Sequence, residues 1–463
     1  MFTFAGKLHI NNFSCIMANV IKIKKGLDIN LKGKASEALL NSGKSETYAI
    51  VPDYYNGIVP KVVAKPGEKV KAGSVLMIDK NRPEIKFVSP VSGEVTAVNR
   101  GEKRKVLSIV VKPDAQIEYE EFGKKNVASL KREEVKEAIL NGGMWPFIKQ
   151  RPYDIVAVPT ETPRDIFVSA FYSAPLAPNF DFILKGQEAD FQAGLDALAK
   201  LTDGKVYVGV RKGSAVKANG VEIVEVEGPH PAGNVGVQIN HIKPINKGEV
   251  VWTVNPANII MIGRLFNKGV ADFSRLVVLT GSETTERGYI KAISGCTINS
   301  LVAGKVLDNE HIRIISGNVL TGTKVNKDDY LGAYDNQITV IPEGDDNNEL
   351  FGWAVPGFGK YSVSHSYPTW LMGNKEYVID ARIKGGKRAM IMSNEYDKVF
   401  PMDIMPEYLL KAIIAYDIDK MENLGIYEVA PEDFALCEFV DTSKIEIQKI
   451  VRNGLDLLYK EMN

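Results

Sequence analysis

Cysteine is scarce in this sequence: Cys15, Cys296 and Cys437 stand far apart among 463 residues. Three scattered thiols make no disulfide framework and point to a reducing compartment. An iron–sulfur cluster ordinarily takes four thiolates, so none is expected on this chain. The five histidines, His9, His230, His241, His311 and His365, show no metal-ligand spacing. Charge of one sign is missing too. Lys plus Arg and Asp plus Glu both number 57, which gives no reason to expect nucleic acid or strong electrostatic attraction to a membrane. No apolar run reaches the length of a membrane span; the greasiest, Ile259-Ile260-Met261-Ile262, is soon closed by Arg264. A Gly-x-Gly-x-x-Gly fingerprint and a P-loop are both absent. Gly142-Gly143 could begin a ligand loop, but Trp145 and Pro146 would obstruct a phosphate cradle, which needs small residues and free N–H groups.

What is present is an ordinary globular composition, 45% hydrophobic and 25% charged, over a length that suits about three domains or more. Residues 61–111 alternate apolar and polar positions and are punctuated by Pro66-Gly67, Ala72-Gly73, Ser89-Pro90 and Arg100-Gly101. Such alternation predicts short β-strands, and the loose repeat of Pro66-Gly67-Glu68-Lys69 in Arg100-Gly101-Glu102-Lys103 predicts a small pseudosymmetric sandwich. The stretch resembles the biotinyl/lipoyl-type barrel-sandwich hybrid. In carrier forms of that fold a hairpin lysine is modified, and Lys80 stands nearest that place. The Met-Lys-Met signature is missing and Arg82-Pro83 follow closely, so Lys80 reads as a solvated hairpin lysine.

Around this stretch the chain divides. Residues 1–16 resemble neither a signal peptide nor the start of a fold, and Met17 is the expected native start. Residues 17–115 are expected to form the sandwich domain. Residues 132–140 carry a helical pattern ended by Gly142-Gly143. Apolar strands at 155–158, 166–172 and 205–210, with an amphipathic helix at 190–201, predict a Rossmann-like α/β layer over 130–250. Short strands with one helix or turn near 299–304 suit a β-grasp domain over 251–345. Helical periodicity at Leu409, Ala412 and Ile413, and again at Ile447, Val451, Leu455 and Leu458, predicts a mainly helical region over 346–463. The fold class is therefore α+β multidomain. Ser294-Gly295-Cys296-Thr297 faintly matches a flavin-phosphate acceptor sequence, but the preceding Asp is missing and a β-grasp turn explains it as well.

Several segments together carry a wider resemblance. They are Ile21-Lys22-Ile23-Lys24-Lys25-Gly26-Leu27-Asp28-Ile29, Phe87-Val88-Ser89-Pro90-Val91-Ser92-Gly93, Arg151-Pro152, Gly228-Pro229-His230-Pro231-Ala232-Gly233 and Ala435-Leu436-Cys437-Glu438-Phe439-Val440. With them the chain resembles the NqrA family, the A subunits of sodium-translocating NADH:quinone oxidoreductases. That family is related to the C subunit of the Rnf complex and to the flavin-bearing subunit of respiratory complex I. Asp441 stands where family members typically carry a second cysteine after the one at Cys437. The resemblance implies a β-grasp domain of the SLBB type and membership of a sodium-pumping translocase. It implies no cofactor on this chain, quinone as substrate, and NADH, flavins and iron–sulfur centres on partner subunits. The membrane flavoprotein B subunit and the other members of a six-subunit complex are the implied partners, at the cytoplasmic face of the inner membrane.

A quinone head needs a flat apolar slot with one or two donors for its carbonyls. Trp145, Phe147, Lys149 and Arg151 offer that mixture beside the Gly142-Gly143 turn, and His230 with Gly233 is a second candidate. The plainer reading makes Trp145 and Phe147 packing residues, Lys149 and Arg151 surface charges, and the His230 loop a product of its prolines and glycines. On that reading the chain is purely a scaffold of the same complex.

Overall fold

The alternation over 61–111 becomes two small antiparallel sheets packed face to face. One has the strand order Tyr48–Ile50, Val106–Pro113, Gly93–Arg100, Lys69–Val70; the other runs Pro60–Val62, Val75–Asp79, Lys86–Val88. Val95, Ile109, Val111, Leu76, Met77 and Phe87 fill the space between them. This computed structural model describes residues 20–307, 310–346 and 357–462. The expected leader at 1–16 and start at Met17 lie outside the described residues.

The predicted hairpin lysine, Lys80, is exposed, and its turn is closed from behind. Buried Asp79 accepts hydrogen bonds from Val59 N, Asn81 N and Arg82 Nε. Arg82 in turn reaches Gly57 O and Val156 O, so the hairpin is fastened to the next domain.

The α/β layer is built on a seven-stranded sheet of order Val20–Lys22, Glu222–Glu227, Val206–Arg211, Ile166–Ser169, Val251–Val254, Ile148–Arg151, Ile155–Val156. The first five strands are parallel; Ile148–Arg151 and Ile155–Val156 form an antiparallel margin. Helices Glu188–Leu201 and Pro256–Lys268 cover it in close contact. A Cβ on Gly263 would fall 1.7 Å from Asp190 O, and one on Gly194 would fall 2.2 Å from Ile259 O. These two positions must be glycine for the helices to approach.

Two segments sit in other sheets than the sequence pattern suggested. The strand Val20–Lys22 pairs in the α/β sheet, and Leu39–Leu40 extends the β-grasp sheet beside Gly288–Ile293. A sheet edge exposes unpaired N–H and C=O groups, and these short strands satisfy them. Likewise Val251–Val254 and Pro256–Lys268 complete the α/β layer rather than opening the β-grasp domain. All four residues of that strand are buried, as a central parallel strand requires.

The β-grasp sheet is six-stranded, in the order Thr323–Val325, Ile312–Ser316, Gln337–Pro342, Ser274–Thr280, Gly288–Ile293, Leu39–Leu40. The short helix Ile298–Val302 packs on it. Among the described residues regular helix resumes at Tyr396–Val399, and Pro406–Ile414, Ala435–Val440 and Ile447–Met462 form the C-terminal bundle. Among described residues from 357 to 395 the sole helical element is the 3₁₀ turn Pro368–Leu371. The bundle shares one core with Ile23, Ile29, Leu31, Phe171, Val226 and Val237, which fixes it to the parallel end of the α/β sheet. No helix among the described residues is long and apolar enough to cross a membrane.

Candidate functional site

The helix Arg132–Asn141 ends on Gly142, and Gly143 then takes φ +67°, a left-handed conformation that favours glycine. That reversal starts the 3₁₀ turn Trp145–Phe147, which leads directly into the strand Ile148–Arg151. The turn sends Trp145 and Phe147 to different places. Trp145 is fully buried, lies edge-on to Trp252 with ring centroids 5.3 Å apart, and donates its indole N–H to Ala157 O at 2.8 Å. Its polar handle is thus spent inside the core.

Phe147 faces an aromatic cleft where sandwich, α/β layer and β-grasp domain meet. Its ring centroid lies 6.4 Å from Tyr55, 6.0 Å from Tyr334 and 6.2 Å from Phe273. Tyr55 also meets Phe87 at 4.8 Å and Tyr334 at 5.7 Å, both edge to face. Tyr54, Phe87, Pro146, Phe147, Phe273 and Gly143 are among the lining residues. The cleft encloses about 470 Å³ of non-atom space that includes open solvent, but only about 30 Å³ of it admits the centre of a water-sized sphere. It is a narrow slot that must widen to take a ring.

The cleft's phenols remain protonated donors. Burial pushes Tyr54 up to about 12 and raises Tyr55 and Tyr334 further. Tyr334 donates to Pro146 O at 2.6 Å, and Tyr54 reaches Tyr330 O at 3.4 Å. Lys149 stands at the margin, its Nζ 4.6 Å above the Tyr334 ring and 3.3 Å from Asp154 Oδ1. Behind Phe147 is Arg275, buried, with its guanidinium carbon 5.9 Å from the Phe147 ring centroid.

The remaining sequence candidates lie elsewhere, against the C-terminal bundle. Arg151 is buried, with Nη1 2.8 Å from Asp433 Oδ2 and 2.9 Å from Glu428 O, and Nη2 3.1 Å from Glu432 Oε1. It is a buried ion-pair residue, not a surface charge. Burial alone would raise the acid of nearby Asp154, but Lys149, Arg151 and Arg452 together hold it low. His230 is buried at the carboxyl end of the parallel strands. Its Nδ1 lies 2.9 Å from Ser173 Oγ, and its backbone N–H donates to Asp28 Oδ1. Gly233 is needed for close approach, since a Cβ there would fall 2.2 Å from Phe171 O. In an open α/β sheet this end is the usual ligand crevice. Here Gly26, Leu27 and Asp28 pack into it; Leu27 N donates to His230 O at 2.7 Å.

The structure therefore brings Phe147 to a cleft, places Trp145 behind it and Lys149 beside it, and takes Arg151, His230 and Gly233 to a separate interface. Sequence reasoning missed Tyr54, Tyr55, Phe87, Phe273, Arg275 and Tyr334. The Tyr54-Tyr55 pair just before Asn56-Gly57 was the visible signal; the other residues come from distant segments that only the domain arrangement unites. His311, Asp345 and Asp346 bring ligand-type atoms within 4.8 Å of one another, but all three are exposed and nothing further marks a site.

Comparison with known proteins accounts for this arrangement. Residues 21–114 match the NqrA N-terminal barrel-sandwich hybrid domain, 130–271 the NqrA second alpha/beta domain and 276–327 the NQRA C-terminal domain. The A subunit of the Na(+)-translocating NADH-quinone reductase of Neisseria meningitidis serogroup B is 36% identical over 448 residues, covering 96% of this chain and all of that one. Its namesake from Yersinia pestis bv. Antiqua shows the same 36% identity and the same coverage. A solved NAD+-reducing [NiFe]-hydrogenase chain is 11% identical, with a TM-score of 0.38 over 72% of this chain and 62% of that one. The barrel-sandwich, α/β and SLBB architecture, its three domain matches and near-full-length identity to these relatives agree: the chain belongs to the NqrA family, the A subunits of Na(+)-translocating NADH-quinone reductases.

Proposed function

We propose that this chain is the component of a sodium-translocating NADH-quinone reductase that contributes a quinone-binding cleft, lined by Tyr54, Tyr55, Phe87, Phe147 and Phe273. The observation that carries the reading is the cleft itself. A quinone ring is flat, apolar on both faces and polar at two opposite edges. Edge-to-face aromatics and the protonated Tyr55 phenol match those needs. Phe147 is the ring contact retained from the sequence, with Lys149 at the rim. Trp145 backs the wall, Arg151 ties the α/β layer to the C-terminal bundle, and His230 and Gly233 pack at the carboxyl end of the parallel strands.

In this reading the electrons arrive from partner subunits that hold NADH, flavins and iron–sulfur centres. The chain sits peripherally on the cytoplasmic face, docked on the membrane flavoprotein B subunit within a six-subunit assembly. The family of the relatives supports membership of such a complex; the cofactor locations and the docking partner follow from the resemblance.

A second reading, a scaffold without a ligand site of its own, is favoured by the narrowness of the cleft at about 30 Å³. Titration of the purified chain with a short-tail quinone, followed by tryptophan fluorescence, separates the two. Saturable binding that weakens about tenfold or more in Phe147→Ala supports the cleft. A folded chain that shows no saturable binding supports the scaffold, with the quinone site left to a membrane partner.

A further inference from the structure

Arg275 is a buried cation with no ion-pair partner among the described residues. It lies on the strand Ser274–Thr280, two residues after the cleft-lining Phe273 and therefore on the same face of the sheet. Its side chain is buried, yet its partners are all neutral oxygens. Nη2 donates to Ala333 O at 2.9 Å, and Nη1 reaches Asp335 O at 3.3 Å and Asn336 Oδ1 at 3.5 Å. Nε is buried without a hydrogen-bond partner. Among the described residues no carboxylate comes within ion-pair distance of it, in contrast to Arg151, which meets Asp433 and Glu432. The buried carboxylate of Asp335 attracts it without an ion-pair contact; that carboxylate accepts from Ser316 Oγ at 2.6 Å, and burial raises its proton affinity. A buried guanidinium without a counter-ion is costly, and buried charges in folded proteins are ordinarily paired. Two of the groups that Arg275 meets, Phe147 and Ala333, line the aromatic cleft.

We propose that Arg275 gives the aromatic cleft a preference for ring ligands whose oxygen carries negative charge. A ring seated on Phe147 with a charged edge oxygen adds negative charge in front of a cation that lies behind that side chain and has no carboxylate within ion-pair distance among the described residues. Tyr55 supplies a neutral donor to the same space, and Arg275 adds the charge. This rests on the quinone reading of the cleft and adds to it which protonation state of the ring is held more tightly.

Two probes of nearly equal shape test it: 2-hydroxy-1,4-naphthoquinone, an enolate anion at neutral pH, and 2-methoxy-1,4-naphthoquinone, which stays neutral. The full-length chain is titrated with each by calorimetry. The expected result is affinity for the anion about tenfold above that for the neutral ring, from a charge attraction across a partly screened interior. That ratio should fall to about one in Arg275→Met and persist in Arg275→Lys. If Arg275→Met does not fold, titration of the unaltered chain at acidic pH, where the hydroxyquinone is itself protonated, should abolish the preference. Binding of both probes with no preference overturns the role of Arg275 and leaves the quinone cleft standing, as does a preference that Arg275→Met retains. Binding of neither probe by the folded chain overturns both.

Discussion

At the scale of single residues, burial decides what the titratable groups do. His230 is 4% exposed, and desolvation of its cationic form pulls it from 6.5 to about 4. Between those values the unfolded chain binds a proton that the folded chain refuses. The stability His230 contributes is therefore whole above pH 6.5 and is lost as pH falls toward 4, to a ceiling of about 3 kcal/mol. Urea unfolding at pH 7.5 and pH 5 should show this loss, and His230→Gln should reduce it; an unchanged pH dependence in the variant would place the acid sensitivity elsewhere. The adjacent glycines at the helix end make a second contrast. A Cβ on Gly143 would sit at φ +67° and 2.5 Å from Val88 Cγ2, so Gly143→Ala combines backbone strain with a clash against a β-branched neighbour. Gly142 has ordinary helical angles, and its Cβ would meet the flexible end of Leu265. Gly143→Ala should cost about 1–3 kcal/mol and Gly142→Ala distinctly less, read as the difference in denaturation midpoints. Equal costs would mean that Val88 moves aside freely.

At the scale of elements, the turn joining the strands Ile148–Arg151 and Ile155–Val156 depends on a helix nearly 300 residues away. Tyr153 and Asp154 take φ of 83° and 50°, conformations that L-residues hold only when their surroundings insist. Arg452 of the helix Ile447–Met462 donates to Tyr153 O at 2.7 Å and to Asp154 O at 3.2 Å, which fixes both carbonyls. Arg452→Met should raise backbone hydrogen exchange around Tyr153–Ile155 and cost about 1–3 kcal/mol, with the sandwich left as protected as before. Exchange that rises evenly over the whole chain would instead indicate global destabilisation. Such long-range dependence marks where the sequence could be read and where it could not. The helix stripes at Leu409 and Ile413, and at Val451, Leu455 and Leu458, were legible because a 3.6-residue period is local, and all five residues are buried. The strands of 61–111 were legible through their period of two. The membership of Val20–Lys22, Leu39–Leu40 and Val251–Val254 was not, because which sheet edge a short strand joins depends on residues far away in the chain. The same holds at the site. Phe147 stood out beside Gly142-Gly143, but Tyr334 and Arg275 lie over a hundred residues downstream, and a buried charge without a counter-ion cannot be distinguished in a sequence from one that is paired.

At the scale of the molecule, the aromatic cleft has no single owner. Tyr55 and Phe87 belong to the sandwich segment, Phe147 to the α/β layer, and Phe273, Arg275 and Tyr334 to the chain that leads into and through the β-grasp sheet. Tyr334 donates to Pro146 O across that junction, and Arg82 reaches from the sandwich hairpin to Val156 O. A ligand in the cleft therefore bridges three units that are also joined by other polar ties, among them Ala49 N to Gly295 O, Lys86 Nζ to Asn141 Oδ1 and Asn336 Nδ2 to Tyr172 Oη. Because binding stabilises the state that binds, a quinone at one hundred times its Kd should add about 2.7 kcal/mol to the opening of every unit that must separate to release it. The slot is also too narrow to admit a ring as it stands, so entry requires a small displacement of one domain against the others, and occupancy should slow that motion. Hydrogen exchange of the full chain with and without a short-tail quinone tests this directly. Protection should rise together at Tyr48–Ile50, at Ile148–Arg151 and at Ser274–Thr280, and should change little in the helices Pro406–Ile414 and Ile447–Met462. Protection confined to one sheet would mean that the ligand sits within a domain and the three-way junction is only structural. Protection centred on the C-terminal helices would move the site to the interface held by Arg151, His230 and Gly233, where the buried charges rather than the aromatic rings would then meet the ligand.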